Sequence, residues 1–303
     1  MMARMITAAM AGALMAGPCL AGPAKLPYAV EKTRLVAGSQ KLDHENGYIA
    51  ISANERMFAS FLRIPDSATH EAYQAELAKE LEKARKRYAS ALADWNDGVK
   101  AAQANKTPIP KKPEEPTESS LSVTPPELRD LAGIGNMFIY SKEDGVFTYL
   151  EAVKPGTYVY YGPVMRDPAG LVVGGTCMCM GTVEFDVKPG VITDLGNQLA
   201  FKTQADPAIP KLPGQAAMLT EKAMANLKNG EISGVSGLPE GWKAERPAFR
   251  AHGKINNYYG LFLGRLGRFP GVLSYRRDVV VDDGTGQELV TPTITSRQKP
   301  KLK

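Results

Sequence analysis

Between residues 134 and 199, short runs rich in Val, Ile, Phe, Tyr and Thr alternate with Gly, Pro and Asp. This is the pattern of successive strands joined by tight turns. The phase is clearest near its end. Cys177, Cys179, Gly181, Val183, Phe185 and Val187 fall on one strand face, and Thr176, Met178, Met180, Thr182, Glu184 and Asp186 on the other. One face is apolar and the other turns charged, which predicts a half-buried strand. Lys154-Pro155-Gly156 and Lys188-Pro189-Gly190 repeat one turn, with proline presetting the first central position and glycine accepting a positive φ at the second. Tyr149, Tyr158, Tyr160 and Tyr161 supply side chains suited to the space between two sheets.

Upstream, the pattern predicts strands over Lys32 to Ala37, Gly47 to Ser52 and Arg56 to Ile64, with Asn54-Glu55 as a hairpin connection between the last two. From about Ala68 to Ala104 the period becomes helical. Leu77, Leu81, Ala84, Tyr88, Ala91, Trp95 and Val99 recur at steps of four and three, and Asp66 or Ser67 is placed to cap. Such a helix, about 50 Å long, outruns a small sandwich, so it bends at Asp97-Gly98 or projects. It is either an arm that docks a protein or envelope partner or a helix laid along one sheet face, and ordinary amphipathicity favours the second. Asn105 to Pro126 carries six prolines among Lys and Glu and reads as a partly extended linker.

Beyond Asn197 the pattern predicts a short helix over Gln215 to Lys228 stopped by Asn229-Gly230, then glycine-rich loops. Strands follow near Tyr258 to Leu263 and Val272 to Val281, with a turn at Asp282-Asp283-Gly284. The fold class expected is mainly β with an α insertion: an antiparallel β-sandwich of transthyretin or immunoglobulin type carrying a long helix and a proline-rich linker. The expected divisions are a signal peptide at 1–21 and a sandwich at 28–200 with its insertion at 66–130. A C-terminal extension at 201–290, packed on the sandwich, and a basic disordered tail at 291–303 complete them.

The stretch Gly156-Thr-Tyr-Val-Tyr, followed by Phe185-x-Val187-x-Pro189-Gly190 and Leu195-Gly196, resembles small bacterial exported β-sandwich domains. These are the lipoprotein-type families of unknown function with transthyretin-like strands. The resemblance implies a fold and an exported setting, and it brings no catalytic or cofactor residues with it.

Composition changes the picture in two places. The formal charge of +5 arises from the ends: Arg4, Arg297, Lys299, Lys301 and Lys303 account for it, so the body carries no nucleic-acid footprint. Arg4, the apolar run Ile6 to Ala16 and the site Cys19-Leu20-Ala21 form an export signal, too short to span a bilayer. No transmembrane segment is expected after its removal, and a periplasmic or cell-envelope location follows. A lipid anchor on Cys19 is the alternative, opposed by Ala16 and Pro18 where a lipoprotein box wants a large aliphatic and a small residue.

Candidate chemistry is sparse. Cys177-Met178-Cys179-Met180 fits buried core thiols, a disulfide or, through Cys177 and Cys179, a soft-metal site for copper; packing into the core as thiols is the favoured reading. His44, His70 and His252 lack zinc spacing and read as surface residues. Gly174-Gly175 reads as a bulge, and Arg276 with Asp278 as a surface ion pair beside Asp282 and Asp283. No serine-hydrolase elbow, phosphate loop or dinucleotide fingerprint occurs. No catalytic or cofactor residue is therefore assigned. The expected function is a non-enzymatic envelope binding or scaffolding module, with a carboxylate-dependent glycan hydrolase and a copper-handling protein as alternatives.

Overall fold

The computed structural model describes residues 29–135, 138–167, 172–199 and 234–289. The protein is mainly β with one long helix. Its elements in chain order begin with α1 (Lys32–Val36), β1 (Gly47–Ala53), β2 (Ala59–Arg63) and α2 (Ser67–Ala104). β3 (Leu131–Ile134), β4 (Ser141–Glu143), β5 (Val146–Val153), β6 (Gly156–Gly162) and β7 (Val164–Arg166) follow. β8 (Val172–Cys177), β9 (Thr182–Val187), β10 (Ile192–Asp194), β11 (Ala244–Glu245) and β12 (Arg250–His252) come next. β13 (Phe262–Leu263), β14 (Leu273–Arg276) and β15 (Val279–Asp282) close the series.

Two five-stranded sheets, ordered β11-β10-β1-β5-β4 and β12-β9-β6-β2-β3, form the body. Alternation along each strand sends one set of side chains into a shared core: Ile49, Ile51 and Tyr149 from the first sheet meet Phe61, Tyr158, Tyr160, Val183 and Phe185 from the second. Phe61 and Phe185 meet edge to face at 5.7 Å between centroids, the arrangement aromatic quadrupoles favour. A small sheet, β13-β8-β7, covers the outer face of the second sheet, where Leu62 and Tyr161 pack with Val164, Cys177 and Cys179. The outer face of the first sheet is covered by a third cluster, in which Tyr48 and Leu150 pack with Leu35 and Trp242.

The chain changes sheet between most consecutive strands, although β4–β5, β7–β8 and β14–β15 pair with their immediate neighbours in sequence. β1 and β2 lie in different sheets, so the hairpin expected at Asn54-Glu55 is not formed. Lys154-Pro155-Gly156 carries the chain from β5 in the first sheet to β6 in the second, and Lys188-Pro189-Gly190 carries it back from β9 to β10. Only the second has the expected turn geometry, with Gly190 at φ 67° and the Val191 amide donating to the Lys188 carbonyl; Gly156, at φ 146°, already starts β6. Pairing is mostly antiparallel, but β1–β10, β10–β11 and β8–β13 are parallel, because these partners arrive by long connections.

Three further expectations are corrected. Lys32 to Ala37 forms the helix α1 rather than a strand. Val272 to Val281 is a hairpin, β14–β15, broken at Arg277, which turns with φ 59°. The run from Cys177 to Val187 is two strands parted by a turn in which the Gly181 amide donates to the Met178 carbonyl. The predicted bulge is present: Val164, Met165 and Arg166 pair with Gly175, Gly174 and Val172, which leaves Val173 as the extra residue. The C-terminal segment supplies edge strands, β11 beside β10, β12 beside β9 and β13 beside β8. The expected signal peptide, the Gln215 to Lys228 helix and the basic tail lie outside the described residues.

Candidate functional site

The arm is built first by α2. Asp66, in extended backbone, accepts the Thr69 amide at 2.8 Å and so satisfies an otherwise orphan donor of the first turn. Thirty-eight residues then run without a break, about 57 Å at 1.5 Å each. Gly98 causes no interruption. Contrary to the expectation of a helix laid along a sheet face, only Leu77 and Ala102 of α2 are buried. The apolar seam is nonetheless used, because the chain supplies its own cover.

After Ala104 the proline-rich segment turns back along the helix. The Trp95 indole N–H donates to the Pro110 carbonyl at 2.8 Å, and Lys112 lies over the Trp95 ring. The Pro110 ring lies beside Gly98, where an added Cβ would sit at ordinary contact distance, 3.4 Å from it. Pro110, Pro113 and Pro116 recur every third residue, the spacing that would align them along one edge of a polyproline II helix. Pro113 and Pro116 are half-buried between exposed Lys and Glu neighbours, and Leu81, Ala84, Tyr88, Leu92 and Val99 on α2 are likewise half-buried. Ala91, expected on the seam, is exposed, and Leu92 takes that place.

At the root, Arg63 binds both ends of the insertion. Its guanidinium meets Asp66 at 2.6 Å and Asp130 at 3.3 Å, and its Nε donates to the Pro155 carbonyl. Lys154 also meets Asp130, at 2.6 Å. Hydrogen bonds from Arg63 and Thr69 hold the Asp66 carboxyl far below the usual carboxylate range. Arg129 reaches back to Glu76 at 2.6 Å and lies over the Tyr73 ring. The arm is thus anchored at its base and projects from it.

The other candidates sit elsewhere. Cys177 and Cys179 are joined in a disulfide with Cα atoms 5.0 Å apart, both fully buried. This corrects the expectation of two thiols: the chain turns at Met178, which brings the Cα atoms within disulfide reach. With the bond formed, neither sulfur offers copper a thiolate. Met178 packs into the inter-sheet core, on the side away from the disulfide.

His70 is exposed on α2. His44 stacks on Trp242 with ring centroids 4.4 Å apart. His252 was not singled out by any motif, yet β12 pairs with β9 and brings its Nδ1 within 2.8 Å of Glu184. One residue pair along, Arg250 meets Glu184 at 3.0 Å and Asp186 at 2.7 Å. The His252 contact holds the Glu184 carboxyl below its ordinary range, and Arg250 draws Asp186 down to about 2. Both carboxylates are therefore ionised near neutrality, and neither is set up as a general acid. Arg276 pairs with Glu288 at 2.7 Å rather than with Asp278, because the hairpin turn at Arg277 ends the shared face.

Among the described residues no group of three or more His, Cys, Asp or Glu is arranged to hold a metal, and no helix is long and apolar enough to cross a membrane. A cavity of about 270 Å³ is lined by Val172–Gly175 and Tyr259–Phe262, with no carboxylate among its lining residues. The chain matches no protein-family model, no curated protein and no solved structure.

Proposed function

We propose that this is an exported binding or scaffolding module that docks a protein or envelope partner through the arm formed by α2 and its proline-rich return. One observation carries the reading: the chain commits 38 helical residues and a proline return to a structure that buries only Leu77 and Ala102 of the helix. An element that contributes so little to a core is retained for what it presents outward. The glycan-hydrolase alternative draws no support from Glu184 and Asp186, which Arg250 neutralises, or from the carboxylate-free cavity. The Cys177–Cys179 disulfide suits an oxidising compartment, and with the signal-like residues 1–21 and the resemblance to exported domains it supports a periplasmic or envelope location.

The test is excision. Arg63 holds both roots together, so residues 68–125 can be replaced by a short glycine-serine linker. The body is expected to keep its cooperative melt while an envelope partner captured by the full chain is lost. A partner retained by the armless body would refute the reading. Intact-mass analysis of the exported protein is expected to show a chain beginning at Gly22; a retained Met1 would refute export, and a diacylglyceryl group on Cys19 would establish the lipid anchor instead.

A further inference from the structure

The small sheet ends abruptly on one side. Along the β8–β13 ladder, Phe262 is in register with Thr176 and Leu263 with Cys177, and the Gly264 amide donates to the Cys177 carbonyl. The Thr176 amide points the other way, to the Pro163 carbonyl beside β7. Since successive peptide groups of a strand alternate sides, the Gly175 amide and carbonyl face the β13 side. In a parallel ladder of this register the Gly175 carbonyl takes the Phe262 amide, and the next bond would join the Gly175 amide to the carbonyl of Gly260. That bond is not made. Residues 257–260 instead turn on themselves, with the Gly260 amide donating to the Asn257 carbonyl, and the chain leaves the ladder.

Among the described residues, nothing fills the strand position that remains. It is the cavity of about 270 Å³ between Val172–Gly175 and Tyr259–Phe262. Tyr259 carries the only polar side chain in its lining, so its hydrogen-bonding groups are mostly main-chain ones, the Gly175 amide among them. Around it the surface is apolar and open: Phe262 is 75% exposed, Val173 64%, Leu263 53% and Met165 42%. No Lys, Glu, Pro or covering loop blocks this edge among the lining residues, although such devices ordinarily protect a free strand edge.

We propose that the β8 edge at Val172–Gly175 is a strand-addition site for a short, extended, uncharged peptide segment of a partner protein. The segment continues the ladder that residues 257–260 abandon. One of its carbonyls accepts the Gly175 amide, and its alternate apolar side chains lie against Val173 and Phe262. No charged side chain lines the cavity, so it offers a charged ligand no counter-ion. The site lies on β8 and β13 and shares no residue with the arm, so it does not depend on the arm's role.

The experiment uses the full chain beside a Val173→Lys/Phe262→Lys double variant, both positions being exposed enough to leave the melt unchanged. A random heptapeptide display library is panned on each, and the enriched sequences are synthesised with a fluorophore. Peptides with apolar residues at alternate positions are expected to bind the full chain and to lose at least tenfold in affinity on the double variant. N-methylation of alternate amides is expected to abolish binding in one phase and spare it in the other, because only one edge of an added strand is hydrogen-bonded. Excision of the arm should leave these affinities unchanged. Failure to enrich any sequence over the double variant would overturn the proposal. So would peptides that tolerate N-methylation at every position, which would be adsorbing by side chains alone. A concentration-dependent dimer of the full chain that the double variant abolishes would assign the edge to a second copy of this chain and overturn the partner-peptide occupant.

Discussion

Glu151 offers the sharpest quantitative test of the fold. It lies on β5 between Tyr149 and Val153, opposite Ile49 of β1, so its side chain shares the face that enters the inter-sheet core. It is 6% exposed, and among the described residues no hydrogen bond or ion pair reaches its carboxyl. Burial alone pushes its pKa up to about 8 from an ordinary 4.5. The native state therefore holds a proton between those values that the unfolded chain has released. The contribution of Glu151 to stability is full below pH 4.5, falls by about 1.4 kcal/mol per unit as pH rises, and is about 5 kcal/mol lower once pH passes 8. Replacing Glu151→Gln keeps the shape and removes the charge. Urea midpoints of both proteins, taken from pH 5 to 9, should diverge steadily, with the glutamine variant ahead by about 3 kcal/mol at pH 7 and the gap constant above pH 8. Comparing two proteins at each pH cancels every other titrating group. A gap that stays constant from pH 5 to 9 would show that water reaches the carboxylate and would refute its placement between the sheets.

Three further outcomes follow from particular contacts. Asp66→Ala removes the α2 cap and one root contact of Arg63, and should lower the helical signal and cost about 1 kcal/mol, read by far-ultraviolet circular dichroism and urea unfolding. The Cys177–Cys179 bond closes a ring of only three residues, so the double Cys→Ala variant should lose about 1.6 kcal/mol of chain-entropy stabilisation beyond any repacking cost; in a chain beginning at Gly22, which lacks Cys19, the unreduced protein should give no thiol reaction even when unfolded, until reductant is added. Gly162→Ala should destabilise by about 2 kcal/mol or more in thermal melts, because Gly162 has φ 129° and an added Cβ would overlap the Thr176 carbonyl oxygen.

How far the sequence disclosed this depends on what each signal measures. Val183, Phe185 and Val187 alternate with Glu184 and Asp186, and the half-buried strand they predict is there, because one face of β9 meets the core and the other meets Arg250 and water. Asn54-Glu55 misled because a short polar break looks the same whether the chain folds back or crosses to a facing sheet, and only tertiary packing decides. Lys32–Val36 carries β-compatible residues, but five residues are too few for propensity to overrule the Lys32 amide's bond to the Tyr140 carbonyl and the cluster that Leu35 joins. The seam of α2 was legible; its cover was not. The period of three in Pro110, Pro113 and Pro116 was present to be matched against it, and composition alone had marked the segment as a linker. Glu151 was hidden because Thr148, Leu150 and Ala152 on one face of β5 are as compatible with burial as Tyr149 and Val153 on the other. His252 and Glu184 stand 68 residues apart and meet only because a C-terminal strand completes the second sheet.

That late completion determines the order in which the molecule can assemble. β1 waits for β5 and β10, β2 for β6, and the outermost partner of β9 does not emerge until Arg250, so β4–β5 is the one tight hairpin among the described strands of either sheet. Most of the pairing must be made across long loops, the topology that folds slowly. A chain cut near residue 200 would retain the inner strands with β10, β9 and β8 each stripped of an edge neighbour, and would present open ladders to other chains. Truncation from the C-terminal side is therefore expected to yield aggregates rather than a smaller soluble body, whereas the arm, whose roots Arg63 already joins, can be removed from the middle.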